Sequence, residues 1–165
     1  MKNIIYILSI LFITSCASSP QECETKANGF IDGVEGQVTM GEQSSVEVFN
    51  QIDKAWAELD YETLKTFVAE GAEMRFYDGR VAVGPEEFVE MIKIWVSEIE
   101  DDKGNEYAWK TDYAFSLAVT SIDGDWVNAQ FTSTHTNPES KLEAEVIYEF
   151  YHIVDGKIQE WSQFK

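Results

Sequence analysis

The feature that most constrains this chain is a predicted β-hairpin near its end, from Leu142 to Phe164. Asp155-Gly156 supplies the positive-φ residues that a two-residue hairpin turn needs. With this turn, Val154 lies opposite Lys157 and Phe150 lies opposite Trp161. Because side chains alternate along a strand, the pattern predicts one inner face that the rest of the chain must cover. The residues predicted on it are Ala144, Val146, Tyr148, Phe150, His152, Val154, Trp161 and Gln163.

Side chains of the other parity form the predicted outer face of the hairpin. That face mixes glutamates with apolar residues, which are Ile147, Tyr151, Ile153, Ile158 and Phe164. An exposed apolar set is typical of an interaction surface, so the sequence allows a homodimer through the outer sheet face.

The first residues of the chain predict an export signal. Lys2 precedes an apolar run from Ile4 to Ile13 that is too short to span a bilayer as a mature helix. The run ends in Ile13-Thr14-Ser15-Cys16, which resembles the bacterial lipobox. That resemblance implies a signal peptide over residues 1–15 and acylation of Cys16, with palmitate-type chains holding the protein on a membrane of the bacterial cell envelope. The alternative is an ordinary secretory signal in which Cys16 is incidental.

The composition indicates an acidic exported protein. Asp and Glu number 30 against 12 Lys and Arg, which gives a net charge of −18. Such a chain is repelled by nucleic acid, so no nucleic-acid partner is predicted, and an anionic ligand is disfavoured. If Cys16 is acylated, Cys23 has no intramolecular disulfide partner. Residues 16–43 are rich in Ser, Gly, Glu and Gln and are predicted to form a flexible tether.

Residues 44–165 are long enough for one core. Helical spacing of apolar residues predicts a first helix from about Ser44, and Asp60 is suited to cap a short second helix. A strand is predicted over Ala72–Asp78. Gly84-Pro85 then opens a third helix, because proline suits the first helical position. The inward residues predicted for these elements include Phe49, Ile52, Trp56, Phe76, Phe88, Ile92 and Trp95.

Two further long strands are predicted between the third helix and the hairpin. Turns at 123–125 and 137–140 would place Tyr113 opposite His135 and Ala129 opposite Tyr148, which gives an antiparallel meander in one register. The inner faces predicted for these strands are Tyr107, Trp109, Tyr113, Phe115, Leu117 and Val119 on the first, and Val127, Ala129, Phe131, Ser133 and His135 on the second.

Several short motifs of this domain resemble a known family. They are Ala55-Trp56-Ala57-Glu58-Leu59-Asp60, Asp78-Gly79-Arg80 with Gly84, Asp125-Trp126-Val127, and the stretch from Tyr151 to Ile158. In this order and spacing they look like the SnoaL-like branch of the nuclear transport factor 2-like (NTF2-like) superfamily. The resemblance implies an α+β fold, a cone in which three N-terminal helices pack in a curved antiparallel sheet around a pocket.

The same resemblance implies two classes of pocket function. The superfamily contains polyketide cyclases, ketosteroid isomerase, scytalone dehydratase and limonene epoxide hydrolase, and also members that only bind. The base and the tyrosine of ketosteroid isomerase would fall near Phe76 and Ile52, and neither side chain can do that chemistry. The catalytic residue is therefore left unknown, with Asp78, His135 and Tyr113 as weak candidates. Each has a structural alternative, as a turn residue or an exposed strand end.

The preferred function is binding of a small, neutral, mostly apolar molecule in the cone pocket, without a cofactor. Large aromatics with a few polar tips are typical of ligand sites, although such aromatics also form ordinary cores. The alternative is a cofactor-independent pocket enzyme, such as an isomerase, a dehydratase or a polyketide-cyclase-like protein. The predicted ligand-binding residues are Trp56, Phe76, Trp95, Tyr113, Phe131, His135, Tyr148, Trp161 and Gln163, with Asp78 as a further polar contact.

No transition-metal site is predicted. The chain has two histidines, His135 and His152, and the predicted register places them far apart on neighbouring strands. They cannot both lie about 2 Å from one zinc ion.

We predict that Cys16 is the mature N-terminal residue and carries lipid. Mass spectrometry of the membrane fraction should show an acylated peptide that begins at Cys16. An unmodified Cys16 in soluble protein would contradict the prediction.

Overall fold

A computed structural model of the protein describes residues 26–100, 107–135 and 144–165. Its strands are β1 (Val38–Met40), β2 (Val68–Arg75), β3 (Val81–Val83), β4 (Tyr107–Val119), β5 (Asp125–His135), β6 (Val146–Val154) and β7 (Lys157–Phe164). Its helices are α1 (Gln43–Ala57), α2 (Tyr61–Thr66) and α3 (Gly84–Glu100).

The strands of the described residues form one seven-stranded sheet, in the order β1-β4-β5-β6-β7-β2-β3. Neighbouring strands are antiparallel except β2 and β7, which pair in parallel. The predicted combination of helices with a largely antiparallel sheet is therefore confirmed. Two details differ, because the sheet contains a parallel pair and the helices are not grouped ahead of it. β1 precedes α1, and β2 and β3 separate α2 from α3.

The helices bury their apolar stripes on the sheet. Phe49, Ile52 and Trp56 of α1 and Phe88 and Ile92 of α3 join one buried cluster with residues of the sheet. The periodicity predicted these residues as inward, but it also predicted Leu59, which lies after the end of α1 and is 41% exposed.

The predicted tether contains part of the sheet. Val38 pairs with Val119 and Met40 with Leu117, so β1 forms an edge strand beside β4. Residues 38–40 of the predicted tether are therefore part of the folded sheet. The signal that was missed is short, since only three residues pair.

The start of α1 is held by a carboxylate from the sheet. The N-cap residue, Glu42, makes no side-chain cap of its own. Instead the buried Asp125 accepts hydrogen bonds from the Glu42 amide at 3.0 Å and from the Ser45 hydroxyl at 2.5 Å. Gly41 permits this approach, because a Cβ there would lie 2.8 Å from Asp125 Oδ1. The helix start is thus fixed by a residue far away in the sequence.

Local signals placed the next elements well. Asp60 caps α2 by accepting from the Thr63 amide at 3.1 Å, as predicted. α3 begins at Gly84-Pro85, and Ala72, Met74 and Phe76 are buried as predicted. β2 differs from the predicted strand because it begins at Val68 and ends at Arg75.

The predicted register of β4 with β5 is wrong. Tyr113 pairs with Gln130, and the partner of His135 is Tyr107. One reason is that Asp125, which was predicted in the turn, is the first residue of β5. The turn therefore ends before Asp125, which shifts the pairing of the two strands. A second reason is a β-bulge at Asp112, an extra residue that reverses which side chains of β4 face the core.

The predicted inner face of β6 is also wrong. Ala129 pairs with Glu149 and not with Tyr148, a slip of one residue that turns every side chain of the strand to the opposite face. The turn at Asp155-Gly156 is where it was predicted, with Val154 opposite Lys157. A bulge at Gln159 then shifts β7, so that Trp161 lies opposite Tyr151.

The outer sheet face consequently has a different composition from the predicted one. Ile147, Tyr151 and Ile153, assigned to a dimer contact, are buried. Phe164 is exposed as predicted, and the large apolar residues that join it on this face include Tyr113, Phe115, Val146, Tyr148 and Phe150. A homodimer through this face remains a prediction.

No helix in the described part of the chain is long and apolar enough to cross a membrane.

We predict that Asp125→Ala lowers the free energy of unfolding by about 2 kcal/mol, because it removes the cap of α1 and leaves the buried Ser45 hydroxyl without its acceptor. Asp123→Ala, an exposed change in the preceding turn, should shift stability by less than about 0.5 kcal/mol. Urea denaturation of the two variants measures the difference. Equal stabilities would contradict the role given to Asp125.

Candidate functional site

A small cavity lies between the helices and one end of the sheet. Its volume is about 30 Å³, taken as the space open to the centre of a water molecule. Residues of α1, α3, β4, β5, β6 and β7 line it, and they are Asp53, Trp56, Trp95, Trp109, Phe131, Ile147, Glu149, Tyr151 and Gln163.

Glu149 is the buried acid of this cavity, with only 6% of its surface exposed. Its Oε2 accepts hydrogen bonds from the Tyr151 hydroxyl and, at 3.2 Å, from the Trp161 indole. Its Oε1 accepts from the Gln163 amide at 2.8 Å. The carboxyl group is therefore held in one orientation by donors from β6 and β7.

Burial raises the pKa of Glu149 above its ordinary value, because a charged carboxylate is poorly solvated in the core. The hydrogen bonds from Tyr151, Gln163 and Trp161 act in the opposite direction, and the negative charge of Asp53 adds to the rise in pKa. Burial also raises the pKa of Tyr151 well above its ordinary value, so this hydroxyl stays a hydrogen-bond donor. A buried carboxyl group of raised pKa in a cavity is a candidate general acid or base.

A second carboxylate, Asp53 on α1, faces the same cavity. Its Oδ1 accepts from the Trp109 indole at 2.8 Å and its Oδ2 from the Thr111 hydroxyl at 3.0 Å. Both donors belong to the segment of β4 before the Asp112 bulge. The cavity therefore holds two oriented acids, one from a helix and one from the sheet.

Four of the predicted ligand-binding residues line this cavity. They are Trp56, Trp95, Phe131 and Gln163. Two others lie in the adjoining core, where Trp161 packs on Phe76 with ring centroids 5.0 Å apart.

Other predicted site residues lie elsewhere. Tyr113 and Tyr148 are 43% and 40% exposed, on the outer face of the sheet. Asp78 lies in the turn before Arg80, whose hydrogen bond and charge lower the pKa of this carboxyl group, so it is not a buried base. Tyr113 and His135 do not pair, and the side chain of His135 lies outside what the structure describes.

Asp53, Glu149 and Tyr151 were missed by the sequence analysis. The last two were assigned to the outer face because of the one-residue slip in β6. The sequence did contain a signal for Glu149. This residue alternates in step with Ile147, Tyr151 and Ile153 along Val146–Val154, and a strand with one apolar face buries that face.

In the ranges that the structure describes, no group of three or more His, Cys, Asp and Glu side chains could hold a metal ion. His152 lies on the other side of the sheet from the cavity. It stacks on Trp126 with ring centroids 4.2 Å apart, and its Nε2 lies 2.9 Å from the Asp123 carbonyl oxygen.

Comparison with known proteins identifies the fold. No family model matches the sequence, and no curated protein matches it. Solved structures do match. An NTF2-like protein of unknown function from Cytophaga hutchinsonii is 11% identical, with a TM-score of 0.52 over 73% of this chain and 88% of the other.

Two further structures carry names that refer to enzymes. A protein of Kribbella flavida, provisionally named a ketosteroid isomerase, is 11% identical with a TM-score of 0.54, over 74% of this chain and 77% of the other. An LEH-like epoxide hydrolase of M. tuberculosis is 12% identical with a TM-score of 0.53, over 73% of this chain and 80% of the other. The chain therefore has an NTF2-like fold.

We predict that Glu149→Gln changes how stability depends on pH. Because the native state raises the pKa of Glu149, it keeps a proton that the unfolded chain releases, so this residue's contribution to stability falls as pH rises above about 4.5, the ordinary value. The variant lacks this loss, and its free energy of unfolding relative to the wild type should increase from pH 4.5 to pH 8. Glu47→Gln, the same change on an exposed part of α1, should show no such trend. Parallel pH profiles for all three proteins would contradict the assignment.

Proposed function

We propose that this protein is a cofactor-independent pocket enzyme that transfers protons on a small molecule, with Glu149 as its acid–base residue. The observation that carries the proposal is a buried carboxyl group of raised pKa facing a cavity, between three hydrogen-bond donors. NTF2-like neighbours that are named as isomerases or hydrolases agree with this class of function.

The surroundings of Glu149 suit both of its protonation states. Burial favours the protonated form, which can give a proton to a substrate oxygen or carbon. After the transfer, the donors of Tyr151, Trp161 and Gln163 stabilise the carboxylate that is left. Asp53 faces the same space from α1 and supplies a second proton acceptor. Two carboxyl groups whose environments differ are a common basis for acid and base roles in one site.

This arrangement favours the enzyme over a protein that only binds. The sequence predicted a neutral, mostly apolar ligand from the aromatic residues, but two carboxyl groups line the cavity, and a protein that only binds an apolar molecule has no use for them. Two carboxyl groups suffice for reactions that need only proton transfer. Isomerisation, dehydration and hydration of a molecule with a carbonyl group or another oxygen are reactions of this kind.

We also propose that the enzyme acts outside the cytoplasm, attached to a membrane of the cell envelope through lipid on Cys16. The support is the sequence Ile13-Thr14-Ser15-Cys16 after a short apolar run. These residues lie outside the described ranges.

Exchange of carbon-bound protons in small ketones tests the enzyme proposal. Acetone and cyclopentanone are incubated with the protein in D2O, and loss of their α-protons is followed by NMR. The wild type should accelerate exchange, and Glu149→Gln should reduce the protein-dependent rate by roughly 100-fold or more, which is typical when a general acid–base is removed. Glu47→Gln should keep the wild-type rate.

The pH dependence provides a second readout of the same reaction. The rate should follow the titration of Glu149, measured independently by carbon-13 NMR of the labelled carboxyl group. No acceleration by the wild type, or an unchanged rate in Glu149→Gln, would contradict the proposal.

A further inference from the structure

The lining of the cavity combines aromatic rings with carboxyl groups. Three of the five tryptophans of the chain, Trp56, Trp95 and Trp109, lie around it together with Phe131 and Tyr151. The ionisable side chains of the lining besides Tyr151 are Asp53 and Glu149, and among the described lining residues there is no lysine, arginine or histidine.

From this lining we infer that the cavity takes an organic cation, a small substituted or methylated ammonium group. Aromatic faces attract such cations through the ring quadrupole, and tryptophan does so best. Asp53 supplies an opposite charge, and Glu149 supplies a second one once it has released its proton. The inference goes beyond the proposed proton transfer: it concerns the charge of a ligand that the same cavity binds, and it rests on that cavity.

The size of the cavity agrees with this class. A space of about 30 Å³ for the centre of a water molecule corresponds to a void roughly 6.5 Å across once the radius of the water is added, if the void is compact. That is comparable with a methylated ammonium group and is small for a fused-ring molecule. A charged ammonium group and an uncharged group of the same shape would both fit this volume. The preference for the charged group therefore rests on the residues that line the cavity.

An inorganic cation suits the site less well. Calcium and magnesium require six or more oxygen ligands. The two carboxyl groups of the cavity already accept hydrogen bonds from Trp109, Thr111, Tyr151, Trp161 and Gln163. An organic ammonium cation fits this lining better, because it is bound by aromatic rings and a nearby negative charge and needs few direct oxygen ligands.

The overall charge of the chain favours the same class of ligand. A protein with a net charge of −18 concentrates cations near its surface and speeds their entry into a cleft. The lysines next to the site in sequence point elsewhere: Lys54 lies near Glu58 and Lys110 near Asp112, with side chains 70% and 80% exposed.

Binding of a cation is linked to the protonation of Glu149. A positive charge in the cavity stabilises the ionised carboxylate, so binding releases a proton and becomes tighter as pH rises through the titration of Glu149. The groups that face Glu149 are Asp53 from α1, Tyr151 from its own strand, and the uncharged Trp161 and Gln163 from β7. Trp161 and Gln163 do not ionise. Tyr151 stays protonated, because burial raises the pKa of its hydroxyl well above the ordinary value.

The test compares two probes of the same shape by isothermal titration calorimetry. Choline carries a trimethylammonium group, and 3,3-dimethyl-1-butanol is its uncharged isostere. Choline should bind the wild type roughly tenfold or more tightly than the alcohol, and more tightly above the titration of Glu149, located by carbon-13 NMR, than below it. This comparison needs no variant, so it stands whether or not a substitution disturbs folding.

A matched pair of variants locates the charge that matters. Asp53→Asn should weaken choline binding by roughly tenfold. Asp112→Asn, on the outer face, should leave it unchanged. Both variants lose one negative charge, and Asp112, like Asp53, accepts from a threonine hydroxyl. Near-ultraviolet circular dichroism checks that both proteins keep their packed aromatic core.

The inference is overturned if neither probe binds, if the alcohol binds as tightly as choline, or if both variants weaken choline equally. Ketone exchange that depends on Glu149, without a preference for choline, would overturn this inference and leave the proposed function standing. A preference for choline without ketone exchange would leave the cation site standing and overturn the proposed enzyme.

Discussion

The structure depends on the packing of the Trp161 indole between the helices and the sheet. Trp161 is fully buried and contacts the rings of Trp56, Phe76, Phe88 and Tyr151. These contacts join α1, the residue after β2, α3 and β6 through one side chain of β7. The same indole donates a hydrogen bond to Glu149. Trp161 therefore both packs the core and orients the carboxyl group of Glu149. A substitution of Trp161 would change the packing of the core and the position of Glu149 together.

The buried position of Glu149 is a consequence of the strand register, which directs its side chain to the inner face of the sheet. Glu149 has ordinary chemistry in the unfolded chain, and its pKa rises because the fold removes it from water. Three donors limit the cost of that burial, since a buried carboxylate without partners would destabilise the protein strongly. Glu149 also lines the cavity, together with Asp53. A strongly acidic chain thus keeps most of its charge in water and places two carboxyl groups beside aromatic rings.

Much of the fold could be predicted from local patterns. The caps and turns at Asp60, Gly84-Pro85 and Asp155-Gly156 lie where the sequence placed them, because each depends on residues a few positions apart. The apolar stripes of α1 and α3 were also predicted correctly, since a helix repeats its buried face every few residues. Motif order and spacing pointed to an NTF2-like fold, which the matching structures support.

The candidate site could be predicted only in part, because it depends on strand register. The aromatic residues Trp56, Trp95 and Phe131 were placed correctly from periodicity alone. Glu149 was placed on the wrong face because a strand repeats every two residues, so a slip of one residue exchanges its faces. The slip, together with the bulges at Asp112 and Gln159, arises from long-range pairing.

The sequence by itself indicated the approximate positions of the helices, the Asp155-Gly156 turn, the strong negative charge and the aromatic content of the core, because each follows from composition or from neighbours in the chain. The class of fold was implied by the resemblance of its motifs to a known family. Only the tertiary structure decided that Glu149 and Asp53 face one cavity and that Tyr148 faces outward. The physical reason is that burial and charge coupling act through space, and the register that brings distant strands together is selected by the packing of the whole core.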